Sequence, residues 1–121
     1  MAHIELTPEN LIVHVEGLDK LWALKSSLSI PLVHITGAEI NPSIADELGF
    51  GLRAPGTSLP GVIRAGTFYY HGNVVFWDVH SMENAIVINL VDEQYTKLVI
   101  GVPDPDTAVA AIRRATDHRN R

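Results

Sequence analysis

Apolar and polar side chains alternate along much of this chain, and the alternation predicts strands. The first two are His3 to Thr7 and Leu11 to Glu16. In the second, Leu11, Val13 and Val15 share one face, while Ile12, His14 and Glu16 share the other, as a period of two requires. Thr7-Pro8-Glu9-Asn10 lies between them as a turn, with Pro8 where a fixed φ helps, so the two runs predict a hairpin. Gly17 ends it. Leu18, Leu21, Trp22 and Leu24-Lys25 then follow roughly helical spacing for a turn or two, with an irregular strand as the alternative. Ser26-Ser27 breaks the segment. Ile30 to Ile40 is β-branched and predicts a third strand, with Pro31 near its start and Gly37 as a bulge or bend.

Helix punctuation marks Asn41 to Gly49: Asn41 can cap, Pro42 suits the first position and Gly49 the stop. Phe50 to Gly61 contains two Pro-Gly pairs, Pro55-Gly56 and Pro60-Gly61, which favour type II turns. Val62 to His80 reads as a hairpin around Gly72-Asn73. Counting outward places Phe68 opposite Trp77, Tyr69 opposite Phe76, Tyr70 opposite Val75 and Thr67 opposite Asp78; a turn at His71-Gly72 would shift this register. Ala85 to Val91 and Lys97 to Val102 are further alternating strands, joined by a turn at Asp92 to Tyr95. Asp104-Pro105-Asp106 then opens a helix: Asp104 caps, Pro105 takes the first position and Asp106 favours the dipole. Ala108, Val109, Ile112, Ala115 and Thr116 form its narrow packing stripe, and Asp117 to Arg121 fray. The expected architecture is one mainly β domain spanning residues 1–121. It has about seven consecutive antiparallel strands in a bent sheet or partly closed barrel, plugged by a C-terminal helix.

Composition narrows the function classes. The chain has no cysteine, which excludes a disulfide framework, a thiolate metal site and a cysteine nucleophile. No apolar run reaches the roughly 20 residues of a membrane span, and the N-terminus lacks the regions of a signal peptide, so the expected location is the cytoplasm. The net charge is −5. An acidic body opposes binding to nucleic acid and to anionic lipid. The basic cluster is Arg113, Arg114, Arg119 and Arg121, placed where cations favour a helix C-terminus.

Two segments resemble small bacterial proteins of pleckstrin-homology-like fold: Gly51 to Phe68, which includes Arg53-Ala54-Pro55-Gly56-Thr57, and Val75-Phe76-Trp77-Asp78-Val79-His80. The resemblance implies a seven-stranded bent barrel with a C-terminal helix and a homo-oligomeric scaffold. It does not carry over phosphoinositide binding. Family members with that activity hold a basic cluster on the first hairpin, where this chain has Glu5, Glu9 and Glu16.

Several side chains are candidates for chemistry. Asp78 and His80 stand two apart on a strand and so share a face. They could act as an acid-base pair or supply two metal ligands; the plainer account is a polar strand edge with Asp78 accepting from Thr67. Arg53 lies in the long 41–61 excursion with Pro55, Gly56 and Thr57. It could fix a carboxylate or phosphate, joined by Arg64, or make an internal ion pair with Asp78 or Glu83. None of the six histidines (His3, His14, His34, His71, His80, His118) has zinc-motif spacing, and no serine lies in a Gly-x-Ser-x-Gly elbow. The aromatic group Phe68, Tyr69, Tyr70, Phe76 and Trp77 suits a core or a subunit contact, or a stacking platform. The resulting expectation is a non-enzymatic protein-interaction or homo-oligomeric assembly module, without metal or cofactor, whose Tyr69–Phe76 face makes a subunit contact. The alternative is a small-molecule, anion-binding protein or enzyme with a pocket under the 41–61 excursion.

Overall fold

A computed structural model describes residues 2–15, 27–41, 43–44, 64–70, 72–79 and 82–119. Eight strands and one long helix lie among them. A three-stranded antiparallel sheet contains β1 (Ala2–Leu6), β2 (Asn10–Val15) and β3 (Ser27–Pro31) in that order. A five-stranded sheet contains β4 (Ile35–Ile40), β5 (Arg64–Tyr70), β6 (Asn73–Val79), β7 (Ala85–Leu90) and β8 (Lys97–Gly101), in the order β4-β7-β8-β6-β5. The helix α1 (Pro105–Arg119) follows. The fold is mainly β with a C-terminal helix, and among the described residues the two sheets do not close into one barrel.

The first hairpin forms as expected. Leu6 faces Leu11 across it, and the Thr7 hydroxyl accepts from the Asn10 N–H at 2.9 Å. Leu11 and Val13 are fully buried. The single strand expected over Ile30 to Ile40 is instead two strands in different sheets. Pro31 ends β3, Leu32–His34 form one 3-10 turn, and β4 begins at Ile35. Proline has no N–H to carry the ladder onward, and the Leu32 N–H turns away to the Glu9 carbonyl at 2.9 Å. Gly37 does mark an irregularity, since the β4–β7 register shifts between Ile35 and Gly37.

The β5–β6 hairpin takes the shifted register that was the alternative, not the count around Gly72-Asn73. The ladder closes at Tyr70–Asn73, so Thr67 faces Phe76, Gly66 faces Trp77 and Ala65 faces Asp78. The shift follows from Gly72, whose φ of 83° is free of steric cost only for glycine. Asn73 is thereby a strand residue. Beside it the Thr96 hydroxyl accepts from the Val74 N–H at 3.0 Å, and the Thr96 N–H donates to the Val74 carbonyl at 2.8 Å. The expected aromatic pairs across the hairpin are replaced by an edge-to-face contact of Phe76 with Tyr95, centroids 5.7 Å apart.

The all-antiparallel order is also corrected. β8 pairs antiparallel with β7 and parallel with β6. The reason lies in burial. Val75 to Val79, Ala85 to Ile88 and Leu98 to Ile100 are buried without interruption, the pattern of strands covered on both faces. Phe76, Ile86, Ile88, Leu98 and Ile100 join Leu11, Val13, Leu28, Ile30 and the helix in one core. Val75, Trp77, Val79, Ala85, Val87 and Val99 form a second core on the opposite face with Ile44.

The helix packs on β4, the 3-10 turn, β1 and β7. Its stripe is as expected: Ala108, Val109, Ile112 and Thr116 are buried and Ala115 packs beside them. It runs to Arg119, past the point where fraying was expected. No helix among the described residues is long and apolar enough to cross a membrane. Trp77 is fully buried in the second core, so Trp77→Ala is expected to cost about 3–5 kcal/mol. Urea unfolding measures this, and a loss below about 1 kcal/mol would contradict the second core.

Candidate functional site

Of the candidate binding residues Arg53, Pro55, Gly56, Thr57, Arg64, Asp78 and His80, Asp78 is the one whose side chain is described. Val75, Trp77 and Val79 point into the second core. Asp78 therefore shares the face of Phe76, at the end of β6, between Ala65 on β5 and Ile100 on β8. It is fully buried, a placement that requires compensation of its charge. Thr67 is not its cross-strand neighbour, so the expected polar strand edge is replaced by an interior carboxylate. Arg64 begins β5 opposite Val79, one position from the Ala65–Asp78 pair. Arg53, Pro55, Gly56, Thr57 and His80 lie outside the described residues, as do Trp22, the 18–25 segment and the 45–61 part of the excursion. At the start of that excursion Asn41 behaves as expected of a cap: its side-chain oxygen accepts from the Ser43 N–H at 3.1 Å.

Two of the described histidines, His14 and His34, pair with carboxylates. His14 Nε2 meets Glu5 Oε1 at 3.0 Å on the exposed face of the first hairpin, where His3 sits opposite His14. His34 Nδ1 contacts Glu93, joining the 3-10 turn to the β7–β8 connection, and the Val91 N–H donates to the His34 carbonyl. Among the described residues, no group of three or more His, Asp or Glu side chains is arranged to hold a metal. Phe76 and Trp77 are fully buried, so neither serves as a stacking platform. Tyr69 is different. It faces Val74 at the far end of β5 and is 79% exposed.

Two grooves flank the helix. One, of about 310 Å³, lies between β1 and the helix start and includes Ile4, Leu6, Val102, Pro103, Asp104 and Ala108. The other, of about 420 Å³, lies between the end of β4 and the next helix face, lined by Glu39, Ile40, Asp106, Val109, Ala110 and Arg113. Sequence reasoning placed Arg113 in a basic tail. Its Nε donates instead to the Ala38 carbonyl at 2.8 Å, at the border of the five-stranded sheet. The legible signal was spacing: Asp106, Val109, Ala110 and Arg113 recur at helical intervals beside the buried stripe.

At the helix start, Asp104 accepts from the Thr107 N–H at 3.2 Å and from its hydroxyl at 2.7 Å. The hydroxyl bond, then the backbone bond, hold its carboxyl below the ordinary value of 3.8. A lowered carboxyl stabilises the fold fully above its unfolded value and loses that contribution as pH falls through its folded value. Asp104→Asn retains a cap but not the charge. Its melting temperature is therefore expected to lie below that of the parent chain at neutral pH, with the gap closing once pH drops below 3.8. Thermal melts across the acid range measure this, and a gap independent of pH would contradict the assignment. Comparison of the chain with protein-family models, curated proteins and solved structures returned no match.

Proposed function

We propose that this chain is a non-enzymatic interaction module of the cytoplasm, built on a pleckstrin-homology-like scaffold, that assembles with a second copy of itself through the border of β5. One observation carries the reading: Tyr69 is 79% exposed on a seven-residue strand that has β6 as its ladder partner among the described residues. A border strand presents unpaired backbone donors and acceptors to another chain. An exposed tyrosine beside it supplies large contact area at small entropic cost. The mainly β architecture with its C-terminal helix supports the scaffold part of the reading. The net charge of −5 favours a protein partner over nucleic acid or an anionic membrane.

A second reading has support of its own. A fully buried Asp78 suits an acid-base pair with His80, in a pocket where Arg53 and Arg64, with Pro55, Gly56 and Thr57, would fix the anion. A ligand held at about 100 times its dissociation constant would then stabilise the fold by about 2.7 kcal/mol.

Sedimentation velocity over a wide concentration range separates the two. Self-association is expected in the parent chain. Tyr69→Lys is expected to weaken it at least about tenfold, the scale of a central aromatic contact, without lowering the melting temperature. A parent chain that stays monomeric at the highest concentration, and is stabilised by phosphate or a carboxylic acid in a thermal-shift screen, would favour the pocket instead.

A further inference from the structure

The groove between β4 and the helix has a charge arrangement that the self-assembly reading leaves unused. Its floor is apolar: Ile40, Val109 and Ala110. Among the described residues its charged groups are one guanidinium, Arg113, and two carboxylates, Glu39 and Asp106. The Arg113 Nε is committed to the Ala38 carbonyl. That bond fixes the guanidinium plane and leaves both Nη groups as donors, the fork that matches a carboxylate. Asp106 and Arg113 stand seven residues apart on the helix, about 10 Å of rise. Neither they nor Glu39 form an ion pair with one another. Such a set of groups calls for a ligand of opposite pattern, with one carboxylate, two cationic groups and an aliphatic stem between them.

We infer that this groove binds a dibasic amino acid. The ligand carboxylate would lie on the Arg113 fork, its two amino groups on Glu39 and Asp106, and its methylene chain on Ile40, Val109 and Ala110. The groove volume of about 420 Å³ is within the range of small-molecule sites. All three ion pairs would be partly solvated, which limits each to at most about fivefold in affinity and the ligand to weak, millimolar binding.

The test is a titration of the full-length chain followed by amide correlation spectra, with three probes. L-lysine carries the whole pattern, L-norleucine lacks the side-chain amine, and cadaverine lacks the carboxylate. L-lysine is expected to shift the amides of Glu39, Ile40, Asp106, Val109, Ala110 and Arg113 and to saturate in the millimolar range. Norleucine and cadaverine are each expected to bind up to about fivefold more weakly. Asp106→Asn with Glu39→Gln is expected to weaken L-lysine and leave norleucine unchanged, with the rest of the spectrum reporting that the fold is intact. The inference is overturned if L-lysine moves no groove amide, if either truncated probe binds as tightly as L-lysine, or if the double substitution does not alter L-lysine binding.

Discussion

Burial of β6, β7 and β8 on both faces is the constraint on which the rest of this structure depends. Phe76, Ile86, Ile88, Leu98 and Ile100 face one core, and Val75, Trp77, Val79, Val87 and Val99 face the other. Each fully buried side chain of this size contributes about 1.5–3 kcal/mol of hydrophobic stabilisation. A strand apolar on both faces has no stable place at a sheet border. β8 consequently lies between β7 and β6, which makes its pairing with β6 parallel and moves β4 and β5 to the two borders.

Those borders are where chemistry is left over. The β4 border is closed by the helix, whose Ile112 enters the first core while Arg113 satisfies the Ala38 carbonyl. The same bond orients the guanidinium in the groove with Glu39 and Asp106. The β5 border carries Tyr69 outward. Assembly through β5 and ligand binding beside β4 are therefore compatible on one chain, because the doubly buried strands separate them.

Much of the fold was legible in the residues because local patterns and tertiary packing agree there. Leu11 and Val13 share the inward face of a period-two run and are buried, Asp104 precedes a helix and caps it, and the Ala108–Thr116 stripe packs inward. Where they disagree, local reading failed. Pro31 is a mild strand irregularity in sequence but a corner between sheets in space, because the Leu32 N–H finds the Glu9 carbonyl. Asn73 looks like a turn residue, yet Gly72 takes the positive φ, which moves the turn by one residue and the cross-strand pairing by two. Non-consecutive pairing such as β6 with β8 leaves no local trace beyond continuous apolarity. The candidate site was less legible. Asp78 was singled out as half of a strand pair with His80, whereas its burial goes with β8 lying beside β6, a pairing between elements distant in sequence. The Arg113 groove arises from two elements about 70 residues apart in sequence, and helical spacing marks only one wall of it.

Native-state amide hydrogen exchange tests the central claim most directly. The amides of β8 from Leu98 to Ile100 are expected to exchange only through global unfolding, together with those of Phe76 to Asp78 and Ile86 to Ile88, while β1 opens locally at lower free energy. Exchange of the β8 amides by local opening, at the rate of a border strand, would contradict a sheet organised around doubly buried central strands.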